Sequence, residues 1–261
     1  MDQNPAFHRL SMLVGNEASA ALSRTKVTVF GLGGVGSWCA EALVRSGIGN
    51  ITLVDFDTID VTNINRQIEA LVTTVGQLKT EALSARLREI NPDCNVTVIS
   101  RYFSCKDGGL EKAARDFNIT NSDYVIDAID SIESKLDLIE CAAHCNVPLF
   151  SSMGMARRLD PCRLQTADIW KTAGCPLARA VREGLRKRRL SGNFTAVYSD
   201  ENILTQNISI QKDESDGTDT APVRKAINGS AVTVTAAAGL ILASLVLRDV
   251  CAKYGHGGSC G

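Results

Sequence analysis

The chain has 261 residues, 44% of them hydrophobic and 22% charged, the proportions of a soluble globular protein long enough to bury a sizeable core. A formal net charge of −1 excludes a global pull toward nucleic acid or anionic membrane, so any such contact has to come from a local cluster.

Residues 26–30, KVTVF, have the pattern of a buried strand, followed by a glycine turn and an apolar-patterned helix over 35–46. NITLVDF (50–56) is a second strand, and GQLKTEALSARLREI (76–90) is an amphipathic helix. NVTVISRYF (95–103) is a third strand after the Asn91-Pro92 break, and SDYVIDAID (122–130) a fourth that leads into a helix through 145. VPLFSS (147–152) is a fifth. Strands alternating with helices imply right-handed parallel crossovers, hence an α/β, doubly wound, mainly parallel, Rossmann-like sheet.

Beyond residue 155 the pattern changes. RRLDPCRLQTADIW (157–170) can hold a strand, CPLARAVREGLRKRRL (175–190) is a basic helix, and FTAVYSD (194–200) is another strand. QKDESDGTDTA (211–221) has the composition of a mobile polar loop. GSAVTVTAAAGLILASLVL (229–247) carries no charge over 19 residues, about the minimum for a membrane span. Its Ala, Ser, Thr and Gly content favours a small-residue helix packed inside a domain or dimer interface, so membrane association is not expected. No repeat is apparent. The expectation is one domain over 1–261, with a nucleotide-binding core at 26–150 and a second part, 151–261, that extends the sheet and supplies substrate loops and the C-terminal helix.

The opening MDQNPAFHRLSM lacks a basic segment followed by an apolar run, which points to the cytoplasm and to nine reduced cysteines rather than disulfides. There is no CxxC pair, and the nearest approach, Cys141 and Cys145, lies one helical turn apart, so no zinc site is expected. His8, His144 and His256 show no spacing for a triad or a metal and read as structural.

The chemistry concentrates after the first strand. Gly31, Gly33, Gly34 and Gly36 let backbone approach phosphates, and the following helix offers its N-terminal N–H groups to them. Asp55 closes the second strand, where an acid commonly grips ribose hydroxyls. To this point a dehydrogenase and an ATP-using enzyme look alike. Arg66 and Lys79 then add two cations, and Asn63, Asn65 and Gln67 add amides. A nicotinamide cofactor has two phosphates, which the helix end already meets, whereas cleaving ATP develops charge on pyrophosphate that cations must neutralise. Asp130, with Ser131 beside it at the end of the fourth strand, sits on the carboxyl edge of the sheet, where a carboxylate suits magnesium on phosphates.

GLGGVGSW, DFDTIDVTNINRQ, VGQLKTE, REINP and DYVIDAIDS resemble the ubiquitin-activating-enzyme-like superfamily that includes ThiF and MoeB. Within it, GGVGSW, TNINRQ and VIDAIDSIESK are most similar to the tRNA threonylcarbamoyladenosine dehydratases. The likeness is strong over roughly residues 5–170, weaker through the middle, and returns near 231–246. It implies a ThiF/MoeB-type fold that adenylates a carboxylate using ATP and Mg2+. It also implies that Gly34, Asp55, Asn63, Arg66, Lys79 and Asp130 contact ATP or its magnesium. Arg9, in FHRLSMLVG, matches an arginine that reaches the phosphates of the neighbouring subunit in a homodimer.

Two carboxylates compete as the substrate: the C-terminus of a ubiquitin-fold sulfur carrier, and the threonyl carboxylate of threonylcarbamoyladenosine in a tRNA anticodon loop. Carrier-activating relatives usually hold zinc through two CxxC pairs, which this chain lacks, and that favours tRNA. ARAVREGLRKRR supplies Arg179, Arg182, Arg186, Lys187, Arg188 and Arg189 as candidate contacts to tRNA phosphates, with Arg157, Arg158 and Arg163 nearby in sequence. Some dehydratases carry a cysteine where TAVYSDE places Ala196; Cys175 is the best substitute, and a structural thiol is the plainer reading for it. A non-catalytic scaffold in a sulfur-relay complex, or an NAD-dependent dehydrogenase, fits the cation set less well.

Overall fold

A computed structural model describes residues 4–190, 192–205 and 228–254. The polar 211–221 stretch and His256 lie outside the described residues. The elements in chain order are α1 (His8–Val14), α2 (Asn16–Arg24), β1 (Lys26–Phe30), α3 (Gly36–Arg45), β2 (Asn50–Val54), α4 (Lys79–Ile90), β3 (Asn95–Ile99) and α5 (Gly109–Asp116). They continue with β4 (Tyr124–Asp127), α6 (Ile132–His144), β5 (Leu149–Ser152), β6 (Leu164–Asp168), α7 (Pro176–Lys187), β7 (Thr195–Ser199) and α8 (Val232–Tyr254).

These strands form one sheet in the order β3-β2-β1-β4-β5-β7-β6. Every neighbouring pair is parallel except β6 with β7. From β1 the chain winds outward through β2 and β3, then returns to add β4, β5 and β7 on the other side. The switch in direction lies between β1 and β4, the place where such sheets open a crevice at their carboxyl edge. The doubly wound, mainly parallel expectation is borne out.

β1, β2 and β4 are short apolar runs, and their inner residues are buried on both faces, as parallel strands covered by helices require. One face is covered by α2, α3, α4 and α8 through Leu22, Leu43, Val44, Leu83, Leu87 and Leu242. The other is covered by α5, α6 and α7 through Ala114, Leu138, Ile139, Val181 and Leu185. Each fully buried leucine or isoleucine contributes about 1.5–3 kcal/mol relative to leaving it in water.

Several boundaries differ from the sequence reading. β2 ends at Val54 and β4 at Asp127, so Asp55 and Asp130 both stand in loops beyond the sheet, Asp55 directly after its strand and Asp130 three residues after. α4 begins at Lys79, because Gly76 has φ +87° and the preceding residues turn instead of coiling. The strand in 157–170 is β6, and α1, α2 and α5 are helices that the apolar pattern did not announce.

α8 spans 23 residues, with a mean hydropathy of 1.8 over its most apolar 18, and is long and apolar enough to cross a membrane by length and composition. In the structure one stripe of it, Val234, Ala238, Leu242, Val246 and Val250, is buried in the protein. Gly239 makes this packing possible: a Cβ there would overlap the Val35 carbonyl oxygen and stand 2.9 Å from Cys39 N, at the start of α3. Gly239→Val is therefore expected to lever α8 off α3 and cost about 1–3 kcal/mol of stability, read as a lower denaturation midpoint.

Candidate nucleotide-binding site

β1 delivers the chain to the carboxyl edge, where Gly31 turns with φ +82°. A Cβ on Gly31 would lie 2.7 Å from Ala128 O, and one on Gly36 would overlap the Gly31 carbonyl. Those two glycines are thus required for the turn to close on itself and against the loop after β4. Gly33 differs: the nearest atom to a Cβ there is Gln67 Nε2 at 3.9 Å, so this side of the turn is open. The Ser37 hydroxyl donates to Gly33 O at 2.7 Å and holds the turn over the N-terminus of α3. Exposed backbone N–H groups at such a helix start attract phosphate.

Asp55 is nearly buried and accepts two backbone bonds, from Leu32 N at 2.6 Å on Oδ2 and from Asp57 N at 2.8 Å on Oδ1. It therefore ties the glycine turn to the end of β2 while keeping carboxylate lone pairs for a ribose hydroxyl.

The run that follows β2 is built around a short 3-10 turn, Val61–Asn63. Asp60 caps it through Thr62 N at 2.8 Å, and Asn63 Oδ1 accepts from Asp60 N at 3.1 Å, so the buried Asn63 amide oxygen closes a capping box. Asn65 Nδ2 donates to Ser230 O at 2.9 Å, just ahead of α8. Arg66 Nη1 donates to Thr62 O at 2.8 Å and to Asn65 Oδ1 at 3.0 Å, while Trp38 Nε1 on α3 donates to Arg66 O at 3.0 Å. Its side chain packs beside the turn, 3.1 Å from where a Gly34 Cβ would be. Gln67 is buried with its Oε1 unbonded.

Lys79 opens α4 and is 6% exposed, and its Nζ donates to Asp57 Oδ2 at 2.9 Å. Asp57 was missed in the sequence, although it stands two residues after Asp55 in DFD, a spacing that invites a second role. The ion pair holds the buried ammonium in place until another anion competes for it.

The loop after β4 rests on a second pair that the sequence reading did not identify. Asp127 and Lys135 are both fully buried and 2.7 Å apart. Lys135 Nζ also donates to Ser152 O at 3.0 Å and Ser151 Oγ at 3.3 Å, and Ser151 Oγ donates to Asp127 Oδ2 at 2.6 Å. Asp127 Oδ1 accepts from Ile129 N at 3.1 Å, which shapes the loop carrying Asp130. Asp130 is exposed and Ser131 is the N-cap residue of α6.

Glu69 is 2% exposed, near Ser37, Lys79 and Asp55, and neither carboxyl oxygen meets a donor in hydrogen-bonding geometry. Burial pushes its carboxyl up to about 7 from 4.5; its own backbone N–H, the Ser37 hydroxyl and the Lys79 charge offset part of the rise, and Asp55 adds a little to it. Because the folded value is the higher one, the folded protein keeps a proton that the unfolded chain releases. Stability accordingly falls as pH rises from about 4.5 to about 7 and levels off above. Denaturant melts across that window should show the slope in wild type and its loss in Glu69→Gln.

Other candidates lie elsewhere. Arg9 is exposed on α1 and makes no hydrogen bond or ion pair to these residues within the chain. On α7, Arg179 pairs with Glu183, Arg182 donates to Thr172 Oγ1, and Arg186 stacks over Trp170. Lys187 and Arg189 are exposed, whereas Arg188 bridges Asp137 at 2.7 Å and Glu140 at 3.0 Å, which employs its charge inside the fold. Cys175 is buried at the N-cap of α7 and Ala196 is buried in β7.

A glycine turn on the carboxyl edge of a doubly wound sheet, tied to a buried acid after β2 and followed by two cations, is the arrangement of a nucleotide-binding protein of the Rossmann-like class. The chain belongs to the ThiF family, whose family model matches residues 7–256. It is 40% identical to the tRNA threonylcarbamoyladenosine dehydratase of Bacillus subtilis (strain 168), over 94% of each chain. The crystal structure of the Escherichia coli tRNA N6-threonylcarbamoyladenosine dehydratase in complex with ATP superposes with a TM-score of 0.80 at 34% identity, covering 95% of this chain and 94% of that one. The same enzyme in complex with AMP gives 0.81 at 36%, with the same coverage.

Proposed function

We propose that this chain is an ATP-dependent tRNA threonylcarbamoyladenosine dehydratase working through an acyl-adenylate. The carrying observation is a fold that matches ATP- and AMP-bound dehydratase structures over nearly its whole length, and the reading is supported by Asp55 bonded to the glycine turn, Arg66 packed beside Gly34 and Lys79 paired with Asp57. On this reading 1–261 is one adenylation domain, with 26–150 as the nucleotide core and 151–261 as its extension.

The threonyl carboxylate attacks the α-phosphate of ATP and pyrophosphate leaves. The adjacent carbamoyl group then closes on the acyl-AMP and AMP departs, so the nucleoside loses one water. Gly31, Gly33, Gly34, Gly36 and the start of α3 cradle phosphates, Asp55 grips the ribose, and Arg66 and Lys79 neutralise the leaving pyrophosphate. Asn63, Asn65 and Gln67 hold the run that carries Arg66. Orientation suffices for the second step.

The donor chemistry fits magnesium in the way phosphate-bound Mg2+ is usually held, by one or two carboxylates plus substrate oxygens. Asp130, with Ser131 beside it, would hold it, and the ion would neutralise phosphate charge. Arg9 acts in trans in a homodimer, a role its exposed position on α1 leaves open. The exposed cations of α7 and the residues just after it, Arg179, Arg186, Lys187 and Arg189, face tRNA phosphates in the cytoplasm, with Arg182 and Arg188 shaping the helix and its end. A sulfur-relay protein remains a candidate partner, and activation of a ubiquitin-like sulfur carrier is the competing reading.

Pyrophosphate release separates the two. Release that requires tRNA bearing threonylcarbamoyladenosine supports the proposal; release that requires a ubiquitin-fold carrier and ignores tRNA overturns it.

A further inference from the structure

Arg158 follows β5 out of the carboxyl edge of the sheet and is 3% exposed. Its Nε and Nη1 have no hydrogen-bond partner, and among the described residues no carboxylate pairs with it. A guanidinium keeps its charge inside proteins, and burying a charge without a counter-ion costs several kcal/mol. Buried donors left unmet in this way call for a specific explanation.

The neighbouring arginine shows that the local backbone is built to put Arg158 there. Arg157 adopts φ +60°, an unfavourable region for a side chain of its kind. It is held by its own N donating to Gly229 O at 2.8 Å and its Nε donating to Leu204 O at 2.9 Å. Arg157 is thus engaged in the turn through its backbone and its Nε, while Arg158 is buried with its Nε and Nη1 unmet.

That turn is joined to the nucleotide site. Gly229 receives Arg157, and the next residue, Ser230, receives Asn65, whose Oδ1 in turn accepts from Arg66. Thr235 of α8, one turn beyond this bridge, stands 3.1 Å from where a Gly34 Cβ would be. The turn that carries Arg158 is therefore joined through residues 229 and 230 to the run that holds the residues assigned to phosphate. ATP is already served by Arg66, Lys79 and the start of α3. The reaction's other anion is the carboxylate to be activated, and a planar guanidinium is the side chain best suited to carboxylate recognition.

We infer that Arg158 is the substrate-binding residue that receives the carboxylate before its adenylation, an inference that rests on the function proposed above. Binding provides the missing counter-charge, so substrates with a free carboxylate are selected over neutral ones.

The test uses the full chain without ATP and two anticodon stem-loop RNAs, one bearing threonylcarbamoyladenosine and one bearing its carboxamide. Wild type should bind the carboxylate RNA roughly 10–100-fold more tightly, the worth of a charged hydrogen bond. Arg158→Met should bind both alike, Arg158→Lys should recover part of the preference, and ATP affinity should stay at the wild-type value in both. The ligand-free Met variant should melt no lower than wild type, since it loses an unpaired buried charge; a merely structural arginine would make it melt lower. An active wild type whose preference survives in Arg158→Met, or a variant that loses ATP affinity in parallel or melts well below wild type, overturns this inference alone. If wild type fails to dehydrate the modified tRNA at all, the functional reading falls and this inference with it.

Discussion

Lys79→Ala and Arg66→Ala are each expected to lower turnover of modified tRNA by about 10²–10³-fold, the usual loss when one preorganised transition-state charge is removed. Both proteins should remain folded. Lys79 pairs with Asp57, whose side chain is 46% exposed, so the abandoned carboxylate can turn to water. Arg66 bonds the Thr62 carbonyl and Asn65 near the surface, and those groups hydrate as easily. The backbone around Arg66 is held separately by Trp38. The effect should fall mainly on kcat, because the charge neutralised is the one that develops as pyrophosphate departs. Near-normal turnover in either purified variant removes that residue from the mechanism.

Lys135→Met should have the largest effect on stability, about 3–5 kcal/mol, because it leaves the Asp127 carboxylate fully buried and unpaired. Adding Asp127→Asn in the same chain removes the stranded charge and should recover most of the loss, measured by denaturant unfolding. The pair also bears on function. Asp127 holds Ile129 N and thereby the loop bearing Asp130, so the double variant should fold yet bind ATP with magnesium less tightly than wild type. A single variant as stable as wild type would show that the pair contributes nothing to the loop's foundation.

The core of this fold was legible in the sequence wherever a short apolar run met a glycine or an acid. KVTVF followed by glycines fixes β1 and its turn, and the structure places the acid of DFD directly after β2. The limits appear where apolar residues continue past a strand. Ala128 and Ile129 prolong the pattern of β4, which moved its expected end from Asp127 to Asp130. α2 and α5 are anchored mainly by alanines, Ala18, Ala21, Ala113 and Ala114, whose small side chains give little periodic signal.

At the site, the glycines, Asp55, Arg66 and Lys79 could be named because their spacing carries the chemistry. Asp57 and Lys135 could not, and Arg158 only as one of a basic cluster, because what distinguishes them is burial and pairing created when distant segments meet. Lys135 has a detectable trace in IDSIESK, a lysine on the apolar side of a helix one turn from its start. Arg158 has no trace of its own: beside Arg157 in the sequence, the two look interchangeable, and only the fold bonds the Nε of one and leaves the Nε and Nη1 of the other unmet.

The central claim is that this site removes water from a tRNA nucleoside at the expense of ATP. The most direct measurement is mass spectrometry of nucleosides from tRNA carrying threonylcarbamoyladenosine, after incubation with the protein, ATP and magnesium. The account predicts loss of one water from that nucleoside, absent when ATP is omitted and absent with Lys79→Ala. An unchanged nucleoside mass, with AMP formed only when a ubiquitin-fold carrier is supplied, would contradict it.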